Sequence, residues 1–150
     1  MFNKIIILLI FILYIENTII VEANCHECIC QRESGCKPLG CKMDVYSNSC
    51  GFFQIKKDYY IDCGTPGRQY GENIESAWVR CSKDYDCSVE CINAYYNRYK
   101  KNCSRNMSFC EKMSRLHNGG PKGCQRGSTI KYWQAVPLLF DIMDIDDLMK

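Results

Sequence analysis

The chain begins with an unbroken apolar run, and only later do apolar residues recur at the spacing of a folded domain. Residues 5–15 (IIILLIFILYI) follow one positive charge at Lys4, and Val21-Glu22-Ala23 gives the small-x-small pattern that signal peptidase recognises. The run is too short and poorly flanked for a stable membrane span, although a membrane anchor is the alternative. We therefore expect residues 1–23 to be a secretory signal peptide.

A short helix is predicted directly after this segment. Asn24 followed three residues later by Glu27 resembles a capping box, and Gly35 is the type of residue that ends a helix. These signals predict a helix over 25–34 that carries Glu33 in its last turn.

Four further helices are predicted in the second half of the chain. Apolar residues recur at helical spacing in 75–81 and more clearly in 87–100 (CSVECINAYYNRYK). Ser108-Phe-Cys-Glu111 is a capping box that opens a helix to about residue 117, and a Gly-Gly-Pro sequence stops it. The segment STIKYWQAV predicts a last short helix.

The segment between the first two helices predicts a β-hairpin. Strand-forming residues on both sides of Tyr46-Ser47-Asn48-Ser49 predict strands over about 41–55, with those four residues as the turn and Asp44 on the first strand. Residues 64–74 are a loop by their glycine and proline content. The fold class is therefore α+β, mainly helical with one small antiparallel hairpin, in a domain over 24–136. Residues 137–150 form an acidic, amphipathic C-terminal tail.

The chain contains 13 cysteines, all at or after Cys25. In a secreted chain this density indicates a disulfide framework, which we expect to comprise six bonds and one cysteine left over for a thiol or an intermolecular link. We expect Cys36 and Cys41 to limit the separation of the helix end from the first strand. The stretch CHECIC, with His26, has an alternative interpretation as a zinc cluster.

Charge favours anionic partners. The net charge is +2, and it becomes +6 over 24–140 when Lys4, two glutamates, four aspartates and the last lysine are left out. A basic secreted domain is attracted to microbial cell walls. The sequence has no basic-aromatic pattern typical of a nucleic-acid groove.

Two acids lie on different predicted elements. Glu33 is at a helix C-terminus, where the helix dipole disfavours the charged form and suits a general acid, whereas Asp44 lies on a strand near a polar turn. Two carboxyl groups that face each other across a groove are what glycoside hydrolysis requires.

The surrounding motifs resemble the invertebrate-type (i-type) lysozyme and destabilase family. The similar stretches are CICQRESGCKPLGCKMDVYSNSCGFFQIKKDYYIDCGTPG, RLHNGGPKGC and TIKYWQAV, and the longer loop GRQYGENIESAW resembles nematode members in particular. The resemblance implies a lysozyme-like fold and a secreted, extracellular glycosidase without cofactor or metal. Its substrate would be the β-1,4 bond between N-acetylmuramate and N-acetylglucosamine in bacterial peptidoglycan. We expect a monomer, with a dimer through the odd cysteine as the alternative, and no membrane contact after signal removal.

The resemblance also implies the roles of individual residues. Glu33 matches the family's acid and Asp44 its nucleophile, which together would act with retention of configuration. The residues that match the family's sugar groove are Lys56, Lys57, Asp58, Tyr59, Tyr60, Ile61, Asp62, Tyr95, His117, Asn118 and Gly119.

The sequence departs from the family pattern at the predicted turn. Tyr46 and Asn48 stand where the family usually has Gly and Leu, in DVGSLSCG. These departures concern substrate preference more than the reaction.

Two alternative functions remain open. A destabilase-type isopeptidase activity would use Ser49 as nucleophile with His117 or Lys56 as base, although no nucleophile elbow is present. The other alternative is a non-enzymatic cationic antibacterial binding protein. Asn102 and Asn106 fit the glycosylation acceptor pattern.

Overall fold

The computed structural model describes residues 2–136, and within them it confirms a mainly helical α+β fold. The helices are α1 Phe2–Ser34, α2 Lys57–Asp62, α3 Ile74–Ser82, α4 Tyr85–Tyr99, α5 Phe109–Gly119 and α6 Ser128–Ala135, with short 3₁₀ helices at Lys100–Asn102 and Gly120–Gln125. The strands β1 Lys42–Asp44, β2 Ser47–Cys50 and β3 Ile55–Lys56 form one antiparallel sheet in that order. The predicted acidic tail, 137–150, lies outside the described residues. Over the described part of the chain, no helix has the length and apolar character needed to cross a membrane.

Helix α1 begins far before the position that the sequence predicted. It is one continuous helix, so the expected start after Asn24 is wrong for the full chain. Because residues 2–24 contain no glycine or proline, nothing breaks the helix there, and the backbone near Asn24 needs no cap. The predicted end is confirmed: Gly35 has φ of +65°, and its N–H bonds the Gln31 carbonyl at 3.0 Å. Glu33 is thereby fixed in the last turn of α1.

The β1–β2 turn lies earlier than predicted. Asp44 pairs with Ser47, so the two-residue turn consists of Val45 and Tyr46, and the expected turn over 46–49 is wrong. Pairing with β1 places Ser47-Asn48-Ser49 in a strand despite their turn-like composition. Val45 and Tyr46 have φ of +30° and +73°, in the left-handed region that costs most residues roughly 1–2 kcal/mol. The third strand, β3, extends the predicted hairpin, with Lys56 opposite Ser49.

The expected six disulfides are confirmed, and they are Cys25–Cys110, Cys30–Cys36, Cys41–Cys50, Cys63–Cys91, Cys81–Cys87 and Cys103–Cys124. The remaining cysteine, Cys28, is buried in the core. Cys36 bonds back to Cys30 of α1, and Cys41 bonds to Cys50 of β2, so neither links the helix end to the first strand. The zinc interpretation of CHECIC is wrong because Cys25 and Cys30 are in disulfides.

A hydrogen bond joins the end of α1 to the turn between β2 and β3. The Ser34 hydroxyl donates to the Phe52 carbonyl at 2.6 Å. Phe52 in turn donates its N–H to the Ser82 carbonyl at the end of α3, at 3.0 Å. These contacts, rather than a disulfide, set the distance between the helix end and the sheet.

The predicted loop over 64–74 is confirmed between α2 and α3, and it is tied together by polar contacts. Arg80 of α3 donates to the Gly67 carbonyl at 2.8 Å and to the Glu72 carboxylate at 2.7 Å. The hydrogen bond from Arg80 lowers the pKa of Glu72. Arg68 also donates to the Glu72 carbonyl.

Gly51 lies where the sheet meets α3, and its position has no room for a side chain. Its φ is +77°, and a Cβ there would lie 1.6 Å from the Ser82 carbonyl oxygen. Gly64 has a similar φ of +92° but no heavy atom within 4 Å of an added Cβ. Substitutions at the two glycines therefore separate the cost of a left-handed backbone from the cost of a collision between the added Cβ and neighbouring backbone.

We predict that Gly51→Ala destabilises the protein by roughly 3 kcal/mol or more, because backbone must move to relieve the collision. Gly64→Ala, the matched control, should cost about 1–2 kcal/mol from the left-handed conformation alone. Denaturant unfolding of both variants measures the difference. Equal losses would show that the close packing of Gly51 against α3 is unimportant.

Candidate active site

Glu33 projects from the last turn of α1 and is largely screened from solvent. Its side chain is 20% exposed. The Tyr132 hydroxyl on α6 donates to Glu33 Oε1 at 2.6 Å. Burial and the neighbouring Glu33 charge raise the pKa of Tyr132 well above its ordinary value, so its hydroxyl keeps its proton and remains a donor. Tyr132 thus fixes one oxygen of the carboxyl group and leaves the other oxygen for chemistry.

The position of Tyr132 was not predicted as part of the site. The segment TIKYWQAV indicated only a short helix, and Tyr132 is 99 residues from Glu33 in the chain. The guanidinium of Arg32 lies 4.8 Å from the centroid of the Tyr132 ring, which adds a cation–π contact beside the carboxyl group. Only the packing of α6 against α5 and the end of α1 brings these residues together.

His117 is buried beside Glu33 and is neutral. Burial lowers the pKa of His117, while Glu33 and the hydrogen bond to Phe53 oppose this shift to a smaller extent. Its Nε2 donates to the Phe53 carbonyl at 3.0 Å, and Nδ1 has no hydrogen-bond partner among the described residues. Glu33 Oε1 is 3.7 Å from Nε2, which is a contact with a neutral ring rather than an ion pair.

Asp44 ends β1 in a more open and more polar setting than Glu33. Its side chain is 52% exposed, and Lys56 Nζ lies 3.2 Å from Oδ2. The same ammonium group donates to the backbone carbonyls of Asp44 at 3.0 Å and of Val45 at 3.3 Å. Lys56 therefore holds both the carboxylate and the turn that follows it.

Glu33 and Asp44 both line each of two adjoining cavities. The Tyr132 cavity, of about 560 Å³, is lined by Arg32, Glu33, Lys42, Met43, Asp44, Ser49, Gln54, Asn118 and Tyr132. The Tyr95 cavity, of about 580 Å³, shares four of these residues, Glu33, Asp44, Gln54 and Asn118. The shared residues make the two cavities one continuous groove, with the acids at the junction.

Most of the expected sugar-groove residues line the Tyr95 cavity, namely Lys56, Asp58, Tyr59, Asp62, Tyr95, His117 and Asn118. Tyr59 and Tyr95 stack with ring centroids 3.7 Å apart, and the Asp62 carboxylate accepts a hydrogen bond from Tyr99. Burial raises the pKa of Tyr59, so this wall presents neutral aromatic rings.

Four expected groove residues are not brought to this cavity. Tyr60 is buried in the core, where its hydroxyl donates to the Pro66 carbonyl at 2.8 Å. Ile61 is exposed on α2, and Gly119 is not among the lining residues, in contrast to Gly120. Lys57 instead forms an ion pair with Glu75 at 3.0 Å, outside both cavities.

The three residues expected for an isopeptidase site are not hydrogen-bonded to one another, and each bonds to another group. The Ser49 hydroxyl is buried and donates to Gln54 Oε1 at 3.1 Å. His117 is occupied by the Phe53 carbonyl and Lys56 by Asp44. No hydrogen bond therefore connects the serine with either expected base. In the described part of the chain, no group of three or more His, Cys, Asp or Glu side chains is arranged to hold a metal ion.

The site as a whole has the parts that glycoside hydrolysis requires: two carboxyl groups on different elements, in unlike environments, facing one groove with aromatic walls.

Comparison with known proteins agrees with this class of site. The Destabilase family model matches residues 22–138. Invertebrate-type lysozyme 2 of Caenorhabditis elegans is 54% identical over 116 residues, covering 77% of this chain and 84% of that protein.

A less similar relative and a solved structure are also named lysozymes. The lysozyme of Magallana gigas is 44% identical over 136 residues, covering 89% of this chain and 90% of that protein. The crystal structure of Tapes japonica lysozyme matches with a TM-score of 0.65 and 47% identity, covering 75% of this chain and 85% of that chain. The chain belongs to the invertebrate-type lysozyme family, which the Destabilase model describes.

The neutral state of His117 predicts a loss of stability in acid. The unfolded chain binds a proton on His117 near the ordinary pKa of about 6.5, whereas the folded chain binds it only at lower pH. Its contribution to stability is therefore complete above about pH 6.5 and decreases as the pH falls. Unfolding free energies measured between neutral and mildly acidic pH should decrease less for His117→Gln than for the unchanged protein. Parallel curves for the two proteins would contradict this assignment.

Proposed function

We propose that the protein is a secreted lysozyme that hydrolyses the β-1,4 bond between N-acetylmuramate and N-acetylglucosamine in bacterial peptidoglycan. Its membership of the lysozyme family makes it a glycoside hydrolase. The observation that carries the finer proposal is the position of Glu33 and Asp44 at the junction of the two cavities. Six disulfides and the N-terminal apolar run support secretion.

In the proposed mechanism Glu33 is the general acid and Asp44 the nucleophile. Glu33 gives its proton to the leaving glycosidic oxygen while Asp44 attacks the anomeric carbon, so the C–O bond to the leaving sugar breaks and an ester to Asp44 forms. Glu33, now a carboxylate, takes a proton from water, whose oxygen attacks the same carbon and releases Asp44. Two displacements on one carbon retain its configuration.

The surroundings of each acid support its role. The Tyr132 hydroxyl orients the Glu33 carboxyl group through Oε1, in a site that solvent reaches poorly. Lys56 compensates the charge that Asp44 must carry before it attacks. The same ammonium group is positioned by backbone carbonyls, which keeps it beside Asp44 rather than beside Glu33.

The walls of the groove suit a glycan strand. Tyr59 and Tyr95 supply aromatic area, and Asp62, Asn118 and Lys56 supply hydrogen-bonding groups for hydroxyl and acetamido groups. Such a mixture of apolar surface and a few polar groups is typical of ligand sites.

We predict that Glu33→Gln and Asp44→Asn each lower the rate of lysis of Gram-positive cell walls by on the order of 10²-fold or more, since each removes a group that takes part in bond breaking. Both substitutions keep side-chain volume, so circular dichroism should show an intact fold. Turbidity of a cell suspension measures the rate.

Glu90→Gln and Asp86→Asn, at exposed positions of α4, are the matched controls because they change the net charge equally. A protein that kills only by its positive charge would respond in the same way to all four substitutions. Full killing by Glu33→Gln, or equal effects of site and control variants, would reject the enzymatic proposal.

We predict retention of configuration. Proton NMR of a peptidoglycan or oligosaccharide digest should show the β-anomer of the new reducing end first, before mutarotation. An α-anomer as the first product would exclude attack by Asp44 and would require Asp44 to act as a base on water.

A further inference from the structure

A buried arginine ties α5 to the chain around the start of α6. The side chain of Arg115 is 7% exposed, and it donates from Nε to the Thr129 hydroxyl at 3.0 Å and from Nη2 to the Cys124 carbonyl at 2.8 Å. Nη1 forms an ion pair with Glu111, one turn earlier on α5, also at 3.0 Å. Each nitrogen of the guanidinium therefore has a partner, and the partners lie on three segments of the chain.

The Thr129 hydroxyl completes the α5–α6 junction, which consists of Arg115, Thr129 and the carbonyls of Gly123, Cys124 and Arg126. The hydroxyl is buried, accepts from Arg115 and has one proton for the Gly123 or the Arg126 carbonyl, each at 2.8 Å. At Gly127, directly before α6, no side chain caps the helix. The first turn of α6 is therefore attached through Thr129, and loss of the hydroxyl would leave a buried donor of Arg115 without its acceptor.

Close packing on both sides of the junction limits its freedom to move. A Cβ added at Gly123 would lie 1.9 Å from the Arg115 carbonyl oxygen, and a Cβ added at Gly119 would lie 2.5 Å from Cγ2 of Thr129. The backbone of α5 thus lies directly against the chain that precedes α6. Because interiors are packed this densely, α6 can change its orientation on α5 only if these contacts change as well.

The orientation of α6 decides where the Tyr132 hydroxyl lies. Tyr132 follows Thr129 by three residues, which places both on the same face of α6. Its hydroxyl bonds Glu33 Oε1 at 2.6 Å, a length typical of a charge-assisted hydrogen bond. A functional contact of this kind requires its partners to be held within about 0.5 Å. Since α6 packs mainly on α5, the junction between these helices controls that distance.

Stability alone is a weak reason for a buried arginine in this place. An apolar set of similar volume is often as stable as a buried ion pair, because burial removes the charges from water. A guanidinium differs from apolar side chains in direction, since its planar fork fixes several acceptors at once. Apolar packing loses uniqueness of arrangement before it loses stability. What Arg115 adds is therefore one defined orientation of α6 on α5.

We infer that Arg115 and Thr129 are positioning residues for the reaction, because they orient α6 so that Tyr132 holds the carboxyl group of Glu33. Neither residue lines the groove, so both act through Tyr132 rather than on the substrate. The inference rests on the proposed function, in which Glu33 is the acid. It extends the catalytic machinery to a buried contact behind the groove wall.

The first test follows the titration of Glu33 by NMR of its labelled Cδ in the full-length protein. A donor to a carboxylate favours the charged form, so loss of the Tyr132 contact should move this titration to higher pH, by about one pH unit in Tyr132→Phe. Thr129→Val keeps the shape of the side chain and loses the hydroxyl, and it should produce part of that shift. Thr129→Ser restores the hydroxyl and should titrate like the unchanged protein.

The second test measures turnover of soluble peptidoglycan fragments by the same variants. Thr129→Val should lower kcat by about five- to fiftyfold and leave KM nearly unchanged, because the orientation of the acid matters in bond breaking rather than in binding. Its effect on kcat should disappear in a chain that already carries Tyr132→Phe, because both substitutions act on the same contact with Glu33.

Ser88→Ala is the matched control. Ser88 has a buried hydroxyl that donates to the Cys81 and Ser82 carbonyls, and it lines neither cavity of the groove. Its loss should lower the midpoint of thermal unfolding, as the loss of the Thr129 hydroxyl should, because both leave buried polar groups without a partner. The Glu33 titration and kcat should nevertheless stay unchanged in Ser88→Ala.

Three results would overturn the inference. They are an unshifted Glu33 titration in folded Thr129→Val, a Thr129→Ser variant that titrates like Thr129→Val, and effects of Thr129→Val and Tyr132→Phe on kcat that multiply. If Thr129→Val does not fold, Arg115→Lys decides by the same titration, since lysine keeps the charge and loses the planar fork. The titration needs no catalysis, so failure of the inference is distinguishable from failure of the proposed function, which full lysis by Glu33→Gln would reveal.

Discussion

The disulfide between Cys25 and Cys110 is the constraint on which the site depends, because it sets α1 beside α5. Glu33 lies eight residues after Cys25, and His117 lies seven residues after Cys110. At a rise of about 1.5 Å per residue, both side chains are roughly 10–12 Å along their helices from the bond. Their contact at 3.7 Å shows that the helices run side by side in the same direction. Closing a loop of 85 residues contributes about 4–5 kcal/mol in the chain-entropy model.

The two acids are held by different means, and this difference supports the different roles proposed for them. Glu33 lies at a helix end whose last turn is capped, and it is bound by a buried tyrosine and contacts a buried histidine. Asp44 lies at the end of a three-residue strand whose outer edge faces solvent and whose turn is secured by one lysine. The groove therefore has a rigid side and a more exposed side. Loss of Tyr132 would affect the Glu33 side of the groove without affecting the Asp44 side.

Elements with strong local signals were predictable from the sequence. The predicted helix start at Ser108 is confirmed, with its hydroxyl accepting from the Glu111 N–H at 3.1 Å while the Glu111 carboxylate accepts from Arg115, and the glycine at position 35 ends α1. The last turn of a helix for Glu33 and the first strand for Asp44 were also predicted correctly, whereas the catalytic roles proposed for them come from the resemblance of the surrounding motifs to a known family. Local signals fail where a more distant constraint decides, as in the β1–β2 turn, where strand pairing overrides the composition of Ser47-Asn48-Ser49.

Other features had no signal in the sequence. The contact between Tyr132 and Glu33 spans 99 residues, and no periodicity indicates it. Thirteen cysteines at irregular spacing do not define their own pairing, which explains why Cys36 and Cys41 were expected to act across the site. Tyr60 and Tyr59 are adjacent in sequence, yet one lies in the core and the other in the groove, because consecutive helical residues point in different directions.

The contacts of Arg80 oppose the local extension of the chain that proteolysis requires. A protease must draw several residues of its target into an extended conformation, and exposed loops with glycine are its usual point of entry. The loop between α2 and α3 can extend only if Arg80 releases the Gly67 carbonyl and the Glu72 carboxylate together. In a fluid rich in proteases, the lifetime of the enzyme then follows the rate at which this corner opens, rather than the rate at which proteases encounter it.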